Sequence, residues 1–256
     1  RWIFVLCAIT LAVSYFPRSS LLPRLSYGPI LHEETSDFSH IRVRGSGSKR
    51  HLLFVTDLGI EHLQSTVDLD QPEVLQVAYT RTLFASFLFK ENQERILIVG
   101  LGGGGMVRFL GSHFPDTKIE AVEIDPAGVK VADQFFETRE NPGIVIHNED
   151  AFVFFQEQHT HFDAIYLDAF LRPSVDKIAG GKTARLKTVD FLRTISNQLT
   201  REGVVACNLV KHRATTPDDI SALCEVFPTV EIFKVPGTGN LAVIASKQDL
   251  ELTREE

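Results

Sequence analysis

The chain has 256 residues, 44% hydrophobic and 23% charged, a globular balance that excludes a collagenous or wholly disordered protein and allows one sizeable core with an appendage. Its formal net charge of -7 offers no long-range attraction to nucleic acid. Three scattered cysteines, Cys7, Cys207 and Cys224, are too few for a disulfide framework or a zinc site and fit a reducing compartment.

An uncharged run from Trp2 to Phe16 comes first, followed by Pro17 and Arg18. It is shorter than the roughly 20 residues needed to span a bilayer. Three readings fit it: the end of a membrane helix that continues upstream of Arg1, a signal peptide with Ala12-Val13-Ser14 as cleavage site, or an apolar helix packed on the domain. Length and flanking charge favour the first, a membrane attachment through residues 2–16 with a cytoplasmic catalytic domain. Residues 1–29 thus read as an apolar segment and a surface linker. Alternating patterns from His40 to Gly59, around Gly45-Ser46-Gly47-Ser48, predict a hairpin, so residues 30–72 form a small N-terminal antiparallel β unit.

Glu73 to Phe89 carries apolar residues at helical spacing and predicts a helix. From Arg95 the runs RILIVG, IEAVEID, IVIHNED, FDAIYLDAF, GVVACNLV, VEIFKV and LAVIAS alternate mostly with helical patterns. Seven strands in that arrangement give a doubly wound, mostly parallel Rossmann-like α/β sheet over residues 73–247, with its ligand at the carboxyl ends of the strands. The last two runs are joined only by Pro236–Asn240, too short for a parallel crossover, and must be antiparallel neighbours. Residues 248–256 read as a charged tail.

Gly100, Gly102 and Gly105 match G-x-G-x-x-G directly after a strand and before a helix, where backbone N–H groups and the helix dipole receive a polar ligand. The bland alternative is a tight turn that needs glycine for its own geometry. Three successive strands then end in Glu123, Asp150 and Asp168. Each alone reads as a helix cap. Together they direct three acids into one crevice. A dinucleotide would use the glycines and Glu123 but give Asp150 and Asp168 no task. A nucleoside bound through its ribose at Glu123 and its adenine near Asp150 uses both and leaves Asp168 for chemistry.

Between Ile30 and Ser246 the ordered segments HEETSDFSHIRV, GIEHLQSTVDLDQPEVLQVAYTR, ILIVGLGGGG, AVEIDP, HNEDAFVFF and FDAIYLDAF resemble the spermidine synthase family of polyamine aminopropyltransferases, within the methyltransferase-like sheet fold. The resemblance implies a transferase that uses decarboxylated S-adenosylmethionine, an adenosyl sulfonium, as co-substrate, with no prosthetic group and with a small-molecule amine as acceptor. It implies that Gln64 and Glu123 hold the ribose, Asp150 the adenine and the loop Gly100, Gly102, Gly103 and Gly105 the donor. Tyr79 would hold the acceptor amine, and Asp168 would assist removal of its proton. A homodimer is compatible with it.

Three positions depart from the family's pattern. Gly103 stands where an acid usually contacts the aminopropyl ammonium, Leu171 replaces a second acid after the fourth strand, and Thr80-Arg81 replaces a His-Glu pair. Two unit charges ~4 Å apart interact by ~4 kcal/mol at an effective dielectric near 20, so an acid at 103 would repel the carboxylate of ordinary S-adenosylmethionine and glycine does not. Arg172, Lys177, Lys182, Arg185 and Lys187 follow Asp168, opposed there by Asp176 alone. This run reads as a solvated lid, or, if it closes over the site, as a selector for neutral or anionic acceptors. A methyltransferase of the same fold and a non-catalytic nucleoside-binding domain are the alternatives. His147, His159 and His161 suggest no metal site, and Tyr166 reads as a packing residue.

Overall fold

The computed structural model describes residues 27–157, 160–170 and 185–250. The apolar segment Trp2 to Phe16, residues 171–184 with Leu171, Arg172, Asp176, Lys177 and Lys182, and the last part of the tail lie outside the described residues. Among the described residues no helix is long and apolar enough to cross a membrane.

The N-terminal unit is a four-stranded antiparallel sheet, β1 (Ile30–Thr35), β2 (His40–Ser46), β3 (Lys49–Val55) and β4 (Glu61–Asp68), paired in sequence order. The expected hairpin is β2–β3: Ser46 lies opposite Lys49, and Gly47, at φ +58°, starts the two-residue turn. The sheet buries Ile41, Val43, Leu52 and Val67 against Ala127, Val131 and Phe136 of the helix Pro126–Phe136.

The segment from Glu73 to Phe89 differs from its predicted single helix. Only Ala78–Leu83 is α-helical (α1), and a 3-10 turn over Phe84–Leu88 follows. Val74 and Val77 are β-branched and lose side-chain freedom in a helix. Val77 is extended at φ -96° and ψ 127°. The Arg81 guanidinium donates to the Leu75 carbonyl at 2.7 Å, which satisfies a backbone acceptor without a helical turn.

The large sheet comprises β5 (Arg95–Val99), β6 (Lys118–Val122), β7 (Ile144–His147), β8 (Phe162–Leu167), β9 (Leu199–Val210), β10 (Thr229–Lys234) and β11 (Asn240–Ser246). Its order is β10-β11-β9-β8-β5-β6-β7. The run from β9 to β7 is parallel, and β11 is antiparallel to both β10 and β9. The helices are α2 (Gly105–His113), α3 (Pro126–Phe136), α4 (Ala151–Glu157), α5 (Val189–Gln198) and α6 (Thr216–Val226). Both faces are covered, so the central strands are apolar at nearly every position. Leu97, Ile165 and Val205 pack against Phe191, Leu192 and Ile195 of α5, and Ile96, Ile98 and Tyr166 face Leu83, Met106 and Leu110.

A buried carboxylate, Asp125, helps tie the two sheets together. Asp125 caps α3 through Oδ1, which accepts from the Ala127 N–H at 2.9 Å. Its Oδ2 accepts from the hydroxyls of Ser36, at 2.9 Å, and Ser39, both in the turn between β1 and β2. Asp125 is 4% exposed, so these donors replace the water that its carboxyl group loses on burial. The double variant Ser36→Ala/Ser39→Ala should lose about 2–4 kcal/mol of unfolding free energy in urea titration, the range for removing hydrogen bonds to a buried charged group.

Candidate active site

A single crevice runs along the carboxyl ends of β5, β6, β7 and β8. It is closed on one side by β4 and by the strap that leads into α1. Gln64, Tyr79, Gly100, Gly102, Gly105, Glu123, Asp150 and Asp168 all line it. The topology explains the assembly, because parallel strands joined by right-handed crossovers deliver all their carboxyl ends to one edge.

The glycine loop follows β5, and its residues have separate jobs. Gly100 sits at φ +97°, and a Cβ there would meet the Asp168 carbonyl oxygen at 2.5 Å. Its glycine is thus demanded by the neighbouring chain as well as by the turn. Gly103 is not among the crevice-lining residues. Its N–H donates to Ser65 Oγ at 3.0 Å, and its carbonyl accepts from Thr138 Oγ1 at 2.9 Å and from the Arg108 guanidinium. A Cβ at 103 would meet the fully buried Phe136 ring at 2.7 Å and Ser65 Cβ at 3.0 Å. The structure therefore sets Gly103 into the contact between β4 and α3, apart from the other three glycines.

Glu123 follows β6 and grips the backbone around it. Its Oε2 accepts from the Leu101 N–H and its Oε1 from the Asp125 N–H, both at 2.9 Å. Burial raises its pKa, and these backbone donors act against the rise. Asp150 follows β7 and caps α4, with Oδ1 accepting from the Phe152 N–H at 3.0 Å. Gln64, in β4, donates from Nε2 to the His62 carbonyl at 3.1 Å. The capping role and the crevice position thus coexist in one carboxylate at Asp150.

Asp168 follows β8. The Tyr79 hydroxyl donates to its Oδ2 at 2.9 Å, and Asn208 Nδ2 donates to its Oδ1 at 2.8 Å. Burial pushes the carboxyl up to about 6, against the hydrogen bonds from Asn208 and Tyr79 and the charge of Lys187. Burial and the facing Asp168 charge raise the Tyr79 phenol well above its ordinary value. A buried carboxylate pushed up to about 6 and hydrogen-bonded to a phenol can accept a proton from a nucleophile in the crevice.

Two of the basic residues after Asp168 are described, and both are engaged. Lys187 Nζ lies 3.7 Å from Asp219 Oδ2 and 5.6 Å from the centre of the Phe170 ring. The Arg185 guanidinium stands 4.5 Å over Phe152. Thr80 is buried, with its hydroxyl donating to the Val77 carbonyl at 2.7 Å. Sequence reasoning missed Asn208, Ser65 and the serine pair on Asp125. Asn208 had a signal: an amide inside the apolar run GVVACNLV needs a buried partner. Ser65 and the serines had none, since their partners lie 38 to 89 residues away.

A family model described as the spermine/spermidine synthase domain matches residues 76–235. A polyamine aminopropyltransferase of Chromobacterium violaceum is 31% identical over 202 residues, covering 78% of this chain and 74% of the relative. The eEF1A lysine and N-terminal methyltransferase of Bos taurus is 32% identical over 159 residues, covering 60% of this chain and 23% of that protein. Among solved structures, a probable spermidine synthase from Corynebacterium glutamicum superposes with a TM-score of 0.69 at 20% identity, over 86% of this chain and 80% of that one. That likeness carries the fold.

The raised Asp168 pKa has a consequence for stability. The folded protein holds this proton more tightly than the unfolded chain, so the group favours folding below about pH 4, and that contribution is lost as pH rises through about 6. Asp168→Asn removes the titration. Urea unfolding from pH 4 to 8 should show the variant gaining stability relative to wild type up to about pH 6–7, by on the order of 1–3 kcal/mol, then levelling off. A pH-independent difference would mean that the carboxyl is not raised.

Proposed function

The chain belongs to the spermine/spermidine synthase family, and from that membership we propose that it transfers an aminopropyl group from decarboxylated S-adenosylmethionine to a small amine. The observation that carries this reading is the Tyr79–Asp168 pair, a proton acceptor set into the same crevice as Glu123 and Asp150. Glu123 and Gln64 hold the ribose hydroxyls. The Glu123 carboxylate accepts from the Leu101, Gly102 and Asp125 N–H groups, and its four lone-pair sites leave room for a ribose hydroxyl. Asp150 receives the adenine edge, and Gly100, Gly102 and Gly105 let the nucleoside and sulfonium approach the backbone.

In this reading the enzyme does little covalent work. A sulfonium leaves readily, so the protein aligns the amine nitrogen with the carbon bonded to sulfur and takes up one proton. Tyr79 orients the incoming amine, and Asp168 accepts its proton. The nitrogen–carbon bond forms as the carbon–sulfur bond breaks, and methylthioadenosine leaves as a thioether.

A second reading, methyl transfer from S-adenosylmethionine, is favoured by one observation. No residue of the loop from Gly100 to Gly105 carries a carboxylate, so none there opposes the methionine carboxylate. Similarity to the bovine methyltransferase agrees with this reading.

The two readings differ in by-product. Incubation of purified protein with an amine should release methylthioadenosine from the decarboxylated donor, whereas adenosylhomocysteine from S-adenosylmethionine as the faster product would select methyl transfer. Asp168→Asn should lower turnover by about 10²–10⁴-fold with nucleoside affinity little changed. Calorimetry should find methylthioadenosine bound about 10–150-fold more weakly by Glu123→Ala, corresponding to ~1.5–3 kcal/mol.

A further inference from the structure

Asn208 is 2% exposed near the carboxyl end of β9, and the proposed chemistry gives it no task. Its Nδ2 donates to Asp168 Oδ1 at 2.8 Å, and its Oδ1 accepts from Asn240 Nδ2 at 2.9 Å. Asn240 opens β11 and is half-buried. With the Tyr79 hydroxyl on Oδ2 of the same carboxylate, four side chains from α1, the residue after β8, β9 and β11 form one row. An ionised carboxylate only accepts, whereas an amide has one donating and one accepting end. Asp168 therefore requires the NH2 end of Asn208. The Asn208 carbonyl must then face Asn240, which must offer its own NH2. The direction of every hydrogen bond in the row is set by the charge at its head.

We propose that Asn208, anchored by Asn240, is a positioning residue that keeps Oδ1 of Asp168 an acceptor throughout turnover, so that the proton from the attacking amine is received at Oδ2. This rests on the reading of Asp168 as the base. In the step, the amine lone pair forms the nitrogen–carbon bond, the carbon–sulfur pair departs with sulfur, and the N–H proton passes to Oδ2. A proton on Oδ1 would set O–H against the Asn208 NH2. Turning Asn208 over would relieve that clash only by setting its NH2 against the NH2 of Asn240. At Oδ2 the Tyr79 hydroxyl needs only to rotate, so that its oxygen accepts the new O–H.

Other groups around Asp168 do not impose this asymmetry. Lys187, before α5, supplies positive charge but is shared with Asp219 of α6 at 3.7 Å. Glu123 and Asp150 stand across the crevice at the ends of β6 and β7. Cys207, beside Asn208, is pushed up by burial to about 12 and stays a neutral thiol. The amide row is thus the element that distinguishes the two oxygens.

The test titrates Asp168 by carbon-13 NMR of protein labelled at its aspartate carboxyls, with the pH profile of kcat/KM measured alongside. In Asn208→Leu the NMR midpoint and the acidic limb of kcat/KM should both move to higher pH by about one pH unit, because a hydrogen bond that favours the charged form is gone. Asn240→Ala should move both in the same direction by less, and it serves as the test if Asn208→Leu does not fold. In wild type, the side-chain NH2 resonances of Asn208 should keep their hydrogen-bonded shift on both sides of the midpoint. Unmoved midpoints in the folded variants, or loss of that shift below the midpoint, would overturn the proposal. A moved midpoint together with undiminished turnover of Asp168→Asn would instead overturn the base assignment, and with it the destination of the proton.

Discussion

A carboxylate at the end of a buried parallel strand must be given hydrogen-bond donors, because an unpaired charge held away from water costs several kcal/mol. The carboxyl edge of the large sheet carries four such groups, Glu123, Asp125, Asp150 and Asp168, and most of the site's architecture follows from how each finds its donors. Glu123 takes them from the backbone after β5 and after its own β6, and Asp150 from the backbone after β7, so the glycine loop and the start of α4 are held by the acids beside the crevice. Asp125 takes two from serines in the β1–β2 turn, which fixes the small sheet over the crevice. Ser65 and Gln64 of β4 reach the glycine loop and the crevice only because that sheet is docked there.

Asp168 is the exception, and the difference bears on chemistry. Its carboxylate is met by side chains, a phenol and an amide. Backbone donors are locked by the fold and stabilise charge firmly. A phenol can rotate, and burial pushes this carboxyl up to about 6 against the phenol's hydrogen bond. Glu123 and Asp150 are held by backbone N–H groups, while Asp168 is held by side chains that can turn.

The departures from the family's pattern acquire physical content in the same way. Thr80 and Arg81 satisfy carbonyls in the strap before α1, and Gly103 is enclosed where Phe136 and Ser65 meet. A side chain at 103 would compete with the packing of the small sheet on α3. The absence of a side chain there is therefore coupled to core packing.

Much of the fold was legible in the sequence because its signals are local. Near-continuous apolar runs marked the seven strands, and a five-residue connection required β10 and β11 to be antiparallel. The glycines and the acids after successive strands located the crevice, since parallel topology brings strand ends together whatever their separation in sequence. Local signals failed where a distant partner decided the outcome. The helix expected over Glu73–Phe89 shrank to Ala78–Leu83 because Arg81 and the crevice wall use the preceding backbone differently. Nothing local shows that Gly100 is needed against the Asp168 backbone, or that Gly103 faces Phe136. The row from Tyr79 through Asp168 and Asn208 to Asn240 joins residues up to 161 positions apart. The sequence by itself determined which residues end the strands and carry charge. Only the tertiary structure decided which donors those charges receive, because a hydrogen bond is satisfied by proximity in space, and that is set by the packing of the whole chain.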